Sequence, residues 1–152
     1  EPQVQLLGAA MNKRQKEFVL NRLIPFICRE NGRGFAMSTI MDRFIPGEVS
    51  TFDQVTRKTP HCGMVGCIGG SIRHLKKFQG DYSIELTNYV AKQLGLSPHQ
   101  ANVLCYGWDD IWPEPYRSNF AKAKTPRGKA AVAVHLLRRV VETSGQILEE
   151  RQ

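Results

Sequence analysis

Gly95-Leu96-Ser97-Pro98-His99-Gln100 writes the end of one helix and the start of the next within six residues. Glycine adopts the left-handed conformation that closes helices. Serine at the cap, proline in the first helical position and glutamine three residues after the cap open one. Upstream, Ile84, Leu86, Tyr89, Val90 and Leu94 recur at helical spacing behind Asp81, which can cap them. Downstream, Ala101, Val103, Leu104 and Tyr106 carry the second helix to Gly107. The middle of the chain is thereby committed to helix-on-helix packing.

The flanking segments read the same way. Asn12 can cap a helix whose apolar positions are Phe18, Val19, Leu20, Leu23, Ile24 and Ile27. Pro25 lacks the amide that would bond four residues back, which predicts a kink or restart there, and Asn31-Gly32 supplies a stop. Residues 33–60, punctuated by Gly34, Pro46, Gly47 and Pro60, read as a long irregular loop with one short extended piece. A helix is expected from about Gly63 to Phe78 through Met64, Val65, Cys67, Ile68, Ile72 and Leu75. Its Gly63, Gly66, Gly69 and Gly70 each cost about 1 kcal/mol relative to alanine, and Gly66 and Gly70, four apart, would let another backbone approach. Thr125-Pro126 starts a last helix to Ser144-Gly145 with Ala130, Ala133, Val134, Leu137, Val140 and Val141 buried. The expectation is an all-α domain, a compact orthogonal bundle of about five helices over residues 11–152. Residues 1–10, ahead of Met11, read as an upstream extension or an expression remnant.

At 152 residues, 41% hydrophobic and mean hydropathy −0.34, the chain reads as one globular domain able to bury a core without metals or disulfides. No apolar run approaches the roughly 20 residues that span a bilayer, and no secretion signal opens the chain, so a cytoplasmic location without membrane contact is expected. The net charge of +7 admits an acidic partner. Its placement is uneven. Residues 11–34 carry six basic and two acidic side chains, and 117–139 carry seven basic and no acidic ones. Residues 81–116 hold Lys92 against Asp81, Glu85, Asp109, Asp110 and Glu114. A polyanion should avoid that middle segment.

The segment Thr59-Pro-His-Cys-Gly-Met-Val-Gly-Cys-Ile-Gly-Gly70 looks least like ordinary core. Its Cys-Gly-x-x-x-Cys-x-x-Gly pattern, with Met37-Ser-Thr upstream and Leu94-Gly-Leu-Ser-Pro-His-Gln-Ala101 downstream, resembles a group of small uncharacterised proteins of bacteria, phages and mobile elements. In that group the segment reads Cys-Gly-Thr-x-Ala-Cys-Ile-Ala-Gly-Trp/His-Ala. Here Met64, Gly66, Gly69 and Ser71 depart from it. The resemblance spans about residues 35–145, implies a helical fold, and carries no established activity.

Three chemistries compete for that segment. A metal could draw on His61, Cys62, Cys67 and His74, but the four residues between Cys62 and Cys67 exceed the usual zinc-knuckle spacing. A Cys62–Cys67 disulfide would need Cys62 to fold back. Cys62 at a helix start would have a lowered pKa, with the Gly63 and Met64 amides as an oxyanion site. No base among His61, His74, His99 and His135 is selected. The simplest reading makes Cys67 core, with Cys28 and Cys105 as further small buried hydrophobes.

Other candidates are binding surfaces. Val90 to Leu104 has helix-turn-helix spacing and would offer His99, Gln100 and Asn102 to bases, yet the second helix, from Ser97, supplies no Lys or Arg for phosphates. Arg117, Lys122, Lys124, Arg127, Lys129, Arg138 and Arg139, interleaved with Tyr116 and Phe120, could hold a nucleic-acid strand. Asp109, Asp110 and Glu114 could pair with that stretch. Trp108, Trp112 and Tyr116 would anchor a protein partner or second copy if exposed, and clamp the last helix if buried. The sequence therefore reads as a non-catalytic binding or interaction module without cofactor. A nucleic-acid-binding regulator using residues 81–107 and the basic C-terminal helix is the alternative, and a Cys62 enzyme or His61-Cys62 zinc site comes third.

Overall fold

Asn12 opens the first helix as its residue type predicts. Its side-chain oxygen accepts from the Gln15 amide at 2.9 Å, and the Gln15 side-chain oxygen accepts from the Asn12 amide at 2.8 Å. This reciprocal capping box satisfies two amides that the first turn leaves free. The computed structural model describes residues 10–37, 41–43, 64–79, 84–106 and 110–149.

The first helix runs in three stretches: α1 (Lys13–Phe18), a π turn (Val19–Leu23) and α2 (Ile24–Gly32). The disturbance expected at Pro25 takes the form of this π turn, in which the Ile24 amide donates to the Val19 carbonyl. Proline cannot donate to the carbonyl of residue 21 and its ring would collide with it, so the preceding turn widens and the helix continues. Helical dihedrals end at Cys28, and Arg29 is extended at ψ 139°. Glu30, Asn31 and Gly32 then follow at φ of 51°, 58° and 79°. Gly32 is required twice over, because a Cβ there would also meet the Pro126 carbonyl oxygen at 2.7 Å.

The helix expected from Gly63 does not begin there. Met64–Gly66 forms β2, antiparallel to β1 (Met41–Arg43), with Met41 opposite Gly66 and Arg43 opposite Met64. Gly66 disfavours helix and Val65 favours extended backbone, so a short ladder with β1 wins over an unsupported helical turn. This two-stranded ribbon is a small addition to an all-α protein. Gly63 and the capping candidate Asp81 lie outside the described residues.

Cys67 caps α3 (Ile68–Lys76), its Sγ accepting from the Gly70 amide at 3.3 Å. Gly66 falls in β2 and so shares no helix face with Gly70, while at Gly69 a Cβ would meet Cys105 Sγ at 3.2 Å. Then come α4 (Ile84–Leu94) and α5 (Pro98–Tyr106), separated by Gly95 at φ +72°. The Ser97–Gln100 capping box is present. The Gln100 amide donates to Ser97 Oγ at 3.1 Å, and the Ser97 amide donates to Gln100 Oε1 at 2.9 Å.

Ahead of the last helix, Tyr116–Lys122 forms a short helix, α6. The last helix, α7 (Pro126–Thr143), is capped by Thr125 Oγ1, which accepts from the Gly128 amide at 3.0 Å. Left-handed Ser144 and Gly145 close it, and a 3-10 turn (Gln146–Glu149) follows. α2 packs along α7, α4 against α5, and α6 against α7. The core they enclose includes Leu23, Ile27, Phe35, Ile68, Ile72, Leu86, Leu94, Leu104, Trp112, Leu136 and Leu137, each almost fully buried. No helix is long and apolar enough to cross a membrane among the described residues.

Candidate functional site

The seven C-terminal cations divide into two kinds. Arg117 is structural: its guanidinium donates to Glu114 Oε2 at 2.9 and 3.1 Å and to the Asp110 carbonyl at 2.9 Å. Glu114 also accepts from the Ser118 amide at 3.1 Å and its hydroxyl at 2.8 Å. These Ser118 bonds, then Arg117, hold the carboxyl below its ordinary pKa. The expected pairing of this acidic loop with the basic stretch is therefore made by Glu114, while Asp110 contributes its backbone oxygen and Asp109 lies outside the described residues.

Lys129 is also occupied. Its Nζ donates to the Phe120 carbonyl at 3.0 Å and sits 4.4 Å from the Phe120 ring centroid, tying α7 to the end of α6. Arg139 pairs with Glu142 at 2.8 Å. That hydrogen bond chiefly raises its pKa, with the Tyr116 hydroxyl adding to it.

Lys122, Lys124, Arg127 and Arg138 remain exposed. Arg127 and Arg138 are eleven residues apart on α7. That spacing puts them about 16 Å apart along the helix axis and within about 20° around it. They form one edge of a stripe. Beside it, α6 and α7 leave a groove of about 520 Å3 lined by Tyr116, Asn119, Lys122, Ala131, Val132 and His135 among others. Small Ala131 opens it. Tyr116, half-buried, forms one wall, and among the described residues no carboxylate lines it. Asn119, Ala131 and Val132 were not identified from sequence, because alanine and valine carry no chemical signal and the groove exists only once α6 is a helix.

The aromatic anchor is corrected. Trp112 is fully buried, donates its indole N–H to the Leu104 carbonyl at 3.2 Å, and meets Phe120 edge-on at 5.2 Å. It clamps α6 against α5. Trp108 lies outside the described residues.

The helix-turn-helix pair fares no better as a base reader. Gln100 is buried at 2% exposure and spent in its capping box. His99 faces the Glu149 carboxylate at 4.0 Å, and a Cβ at Gly145 would meet Leu96 at 2.6 Å. The C-terminal turn thus packs beside the start of the would-be recognition helix, leaving His99 exposed. Of the three expected base contacts, Asn102 alone is exposed without a partner in that turn.

In the cysteine segment, His61 and Cys62 lie outside the described residues. Cys67 is buried, and removal from water raises its thiol pKa despite the Gly70 amide opposing it. Cys105 is buried beside it and raised well above the ordinary value by burial, then by Cys67. Cys67 starts α3, whereas His74 is exposed and stacked on Phe26 at 5.3 Å near its other end. Seven residues of helix separate them by about 10 Å, too far to share one zinc ion. Cys28 corrects the sequence reading: it is exposed, because it falls off the Leu23, Ile24 and Ile27 stripe. Comparisons with protein-family models, curated proteins and solved structures return no match.

Proposed function

We propose that the chain is a non-catalytic binding module that takes a nucleic-acid strand on the α6–α7 face. The observation that carries this reading is the groove beside Tyr116, lined by no carboxylate among the described residues and flanked by the exposed Lys122, Lys124, Arg127 and Arg138. Cations on one face supply phosphate affinity, and the groove admits the apolar part of a nucleotide. Lys129 serves this face by tying α7 to the end of α6, and Arg117 by pinning the segment ahead of α6 through Glu114 and the Asp110 carbonyl. The helix pair α4–α5 has no part in it.

Fluorescence anisotropy with labelled single-stranded and duplex oligonucleotides tests the reading. Four phosphate contacts on a single strand give a slope of log affinity against log salt of about −3, so affinity falls roughly 50-fold between about 50 and 200 mM salt. The triple variant Lys122→Ala, Arg127→Ala, Arg138→Ala should lose most of the slope. Absence of binding at low salt, or binding indifferent to those substitutions, removes the proposal.

A further inference from the structure

A second set of cations is assembled from four stretches of the chain, two of them in the first helix. Arg14 of α1, Arg22 of the π turn, Lys76 at the end of α3 and Lys92 of α4 line one cleft of about 560 Å3. From sequence the basic face of the first helix looks merely solvated. In the fold it gains Lys76 and Lys92 from 54 or more residues downstream of Arg22.

Two of these charges, Lys76 and Arg22, are held in place. Lys76 Nζ stands 4.3 Å from the Phe18 ring centroid, and the Arg22 guanidinium lies 5.6 Å from the same centroid. Arg22 also donates to the Leu75 carbonyl at 3.4 Å, which holds it over the end of α3. Gln15 donates to the Lys92 carbonyl at 3.4 Å and fixes α4 beside α1. Among the described residues Glu17 is the one carboxylate lining the cleft, leaving a lining charge of 4 − 1 = +3. Among the described residues, none of the four cations forms an ion pair. Shielding from water, then the charges of Arg22 and Arg14, push the Lys76 pKa down, which records like charges held together without a counter-ion.

We propose that this cleft binds a diphosphate group, presented either as inorganic pyrophosphate or as the diphosphate of a nucleotide. The lining charge matches the roughly three negative charges of such a group, and the volume falls within the roughly 300–1,000 Å3 of ordinary ligand sites. Two guanidiniums supply forked donors for phosphoryl oxygens, and the lysines add point charges. The amides of Asn21 and Gln93 also line the cleft and can donate. Lys76 and Arg22 already occupy the face of Phe18, so no base stacks there and the phosphates are what the site reads. No residue is shared with the α6–α7 groove.

Isothermal titration of the whole protein with pyrophosphate, ADP and AMP, at low salt and without added metal, tests it. Pyrophosphate and ADP are expected to bind within a few-fold of each other, AMP at least about tenfold more weakly. Lys76→Met and Arg22→Gln should each weaken pyrophosphate about tenfold or more, while Lys76→Arg keeps the affinity within a few-fold. Arg22 is exposed, so its variant decides the matter if Lys76→Met fails to fold. The proposal is overturned by no heat at millimolar pyrophosphate, by equal binding of sulfate, by ADP binding without pyrophosphate binding, or by Arg22→Gln binding as tightly as the parent. The triple variant on α6 and α7 should bind pyrophosphate like the parent whether or not that face holds nucleic acid, so the two readings fail separately.

Discussion

Replacing Gly32 by alanine tests the seam between the first and last helices. Gly32 has φ +79°, and a Cβ there would stand 2.7 Å from the Pro126 carbonyl oxygen and 2.9 Å from Ala130 Cβ. The left-handed conformation costs an alanine about 1–2 kcal/mol. Displacing packed backbone adds about 1–3 kcal/mol, because the Pro126 oxygen belongs to the first turn of α7 and cannot swing aside like a side-chain tip. The sum is roughly 2–5 kcal/mol. At about 2–4 °C per kcal/mol for a chain of this length, thermal unfolding followed by far-UV circular dichroism should shift down by roughly 4–20 °C. Gly128→Ala is the matched control, since its Cβ would meet Thr125 Oγ1 at 3.2 Å and Ala123 Cβ at 3.4 Å. Helix propensity offsets that crowding, so the control should stay within about 1 kcal/mol of the parent. Adding Ala130→Gly to Gly32→Ala should recover little, because the backbone contact persists. A Gly32→Ala protein melting within about 1 °C of the parent would refute the account of this seam.

Two further predictions concern titrating groups. Cys67 and Cys105 are buried with thiols raised above 9.0, so alkylation of the native protein should leave both unmodified while exposed Cys28 reacts, as read by mass spectrometry. A raised folded-state thiol pKa gives stability that is full below the unfolded thiol pKa and lost as pH rises above it; Cys105→Ala should flatten that alkaline decline in melting temperature, and an unchanged decline sinks the assignment. Glu114 is depressed below 4.5 by its Ser118 and Arg117 bonds, so its contribution is present above that pH and lost as pH falls through the lower folded value. Glu114→Gln should flatten the acid side of the stability profile, and a curve parallel to the parent's would contradict it.

What was legible in the sequence was local. The Asn12, Ser97 and Thr125 caps and the Gly95 and Gly145 stops depend on residues a few positions apart, and each stands where the pattern puts it; the apolar stripes do so too, except that Leu20 is exposed and Met64 and Val65 fall in a strand. The strand at Met64–Gly66 was not legible, because its partner Met41–Arg43 lies across a long connection and no local signal names the pairing. Trp112 could be read as anchor or clamp until the Leu104 carbonyl was seen to receive its N–H. Charge counting found the basic C-terminal stretch but could not distinguish Arg117 and Lys129, drawn inward by carbonyl oxygens, from Arg127 and Arg138. The second cleft was invisible for the same reason: its cations are scattered over the chain from Arg14 to Lys92 and converge only in three dimensions.

The π turn ahead of Pro25 makes the first helix a rod with an offset built into it. Upstream of the turn the rod faces α4; downstream it lies on α7. One extra residue per wide turn amounts to about 100° of rotation between the two halves. Deleting a single residue from Val19–Leu23 could restore ordinary helical bonding and still be harmful. It would turn Arg14 and Phe18 about the axis, away from Lys76, while Ile27 kept its place on α7. The phase of this helix, more than its composition, decides whether its cations share a cleft with those of α3 and α4.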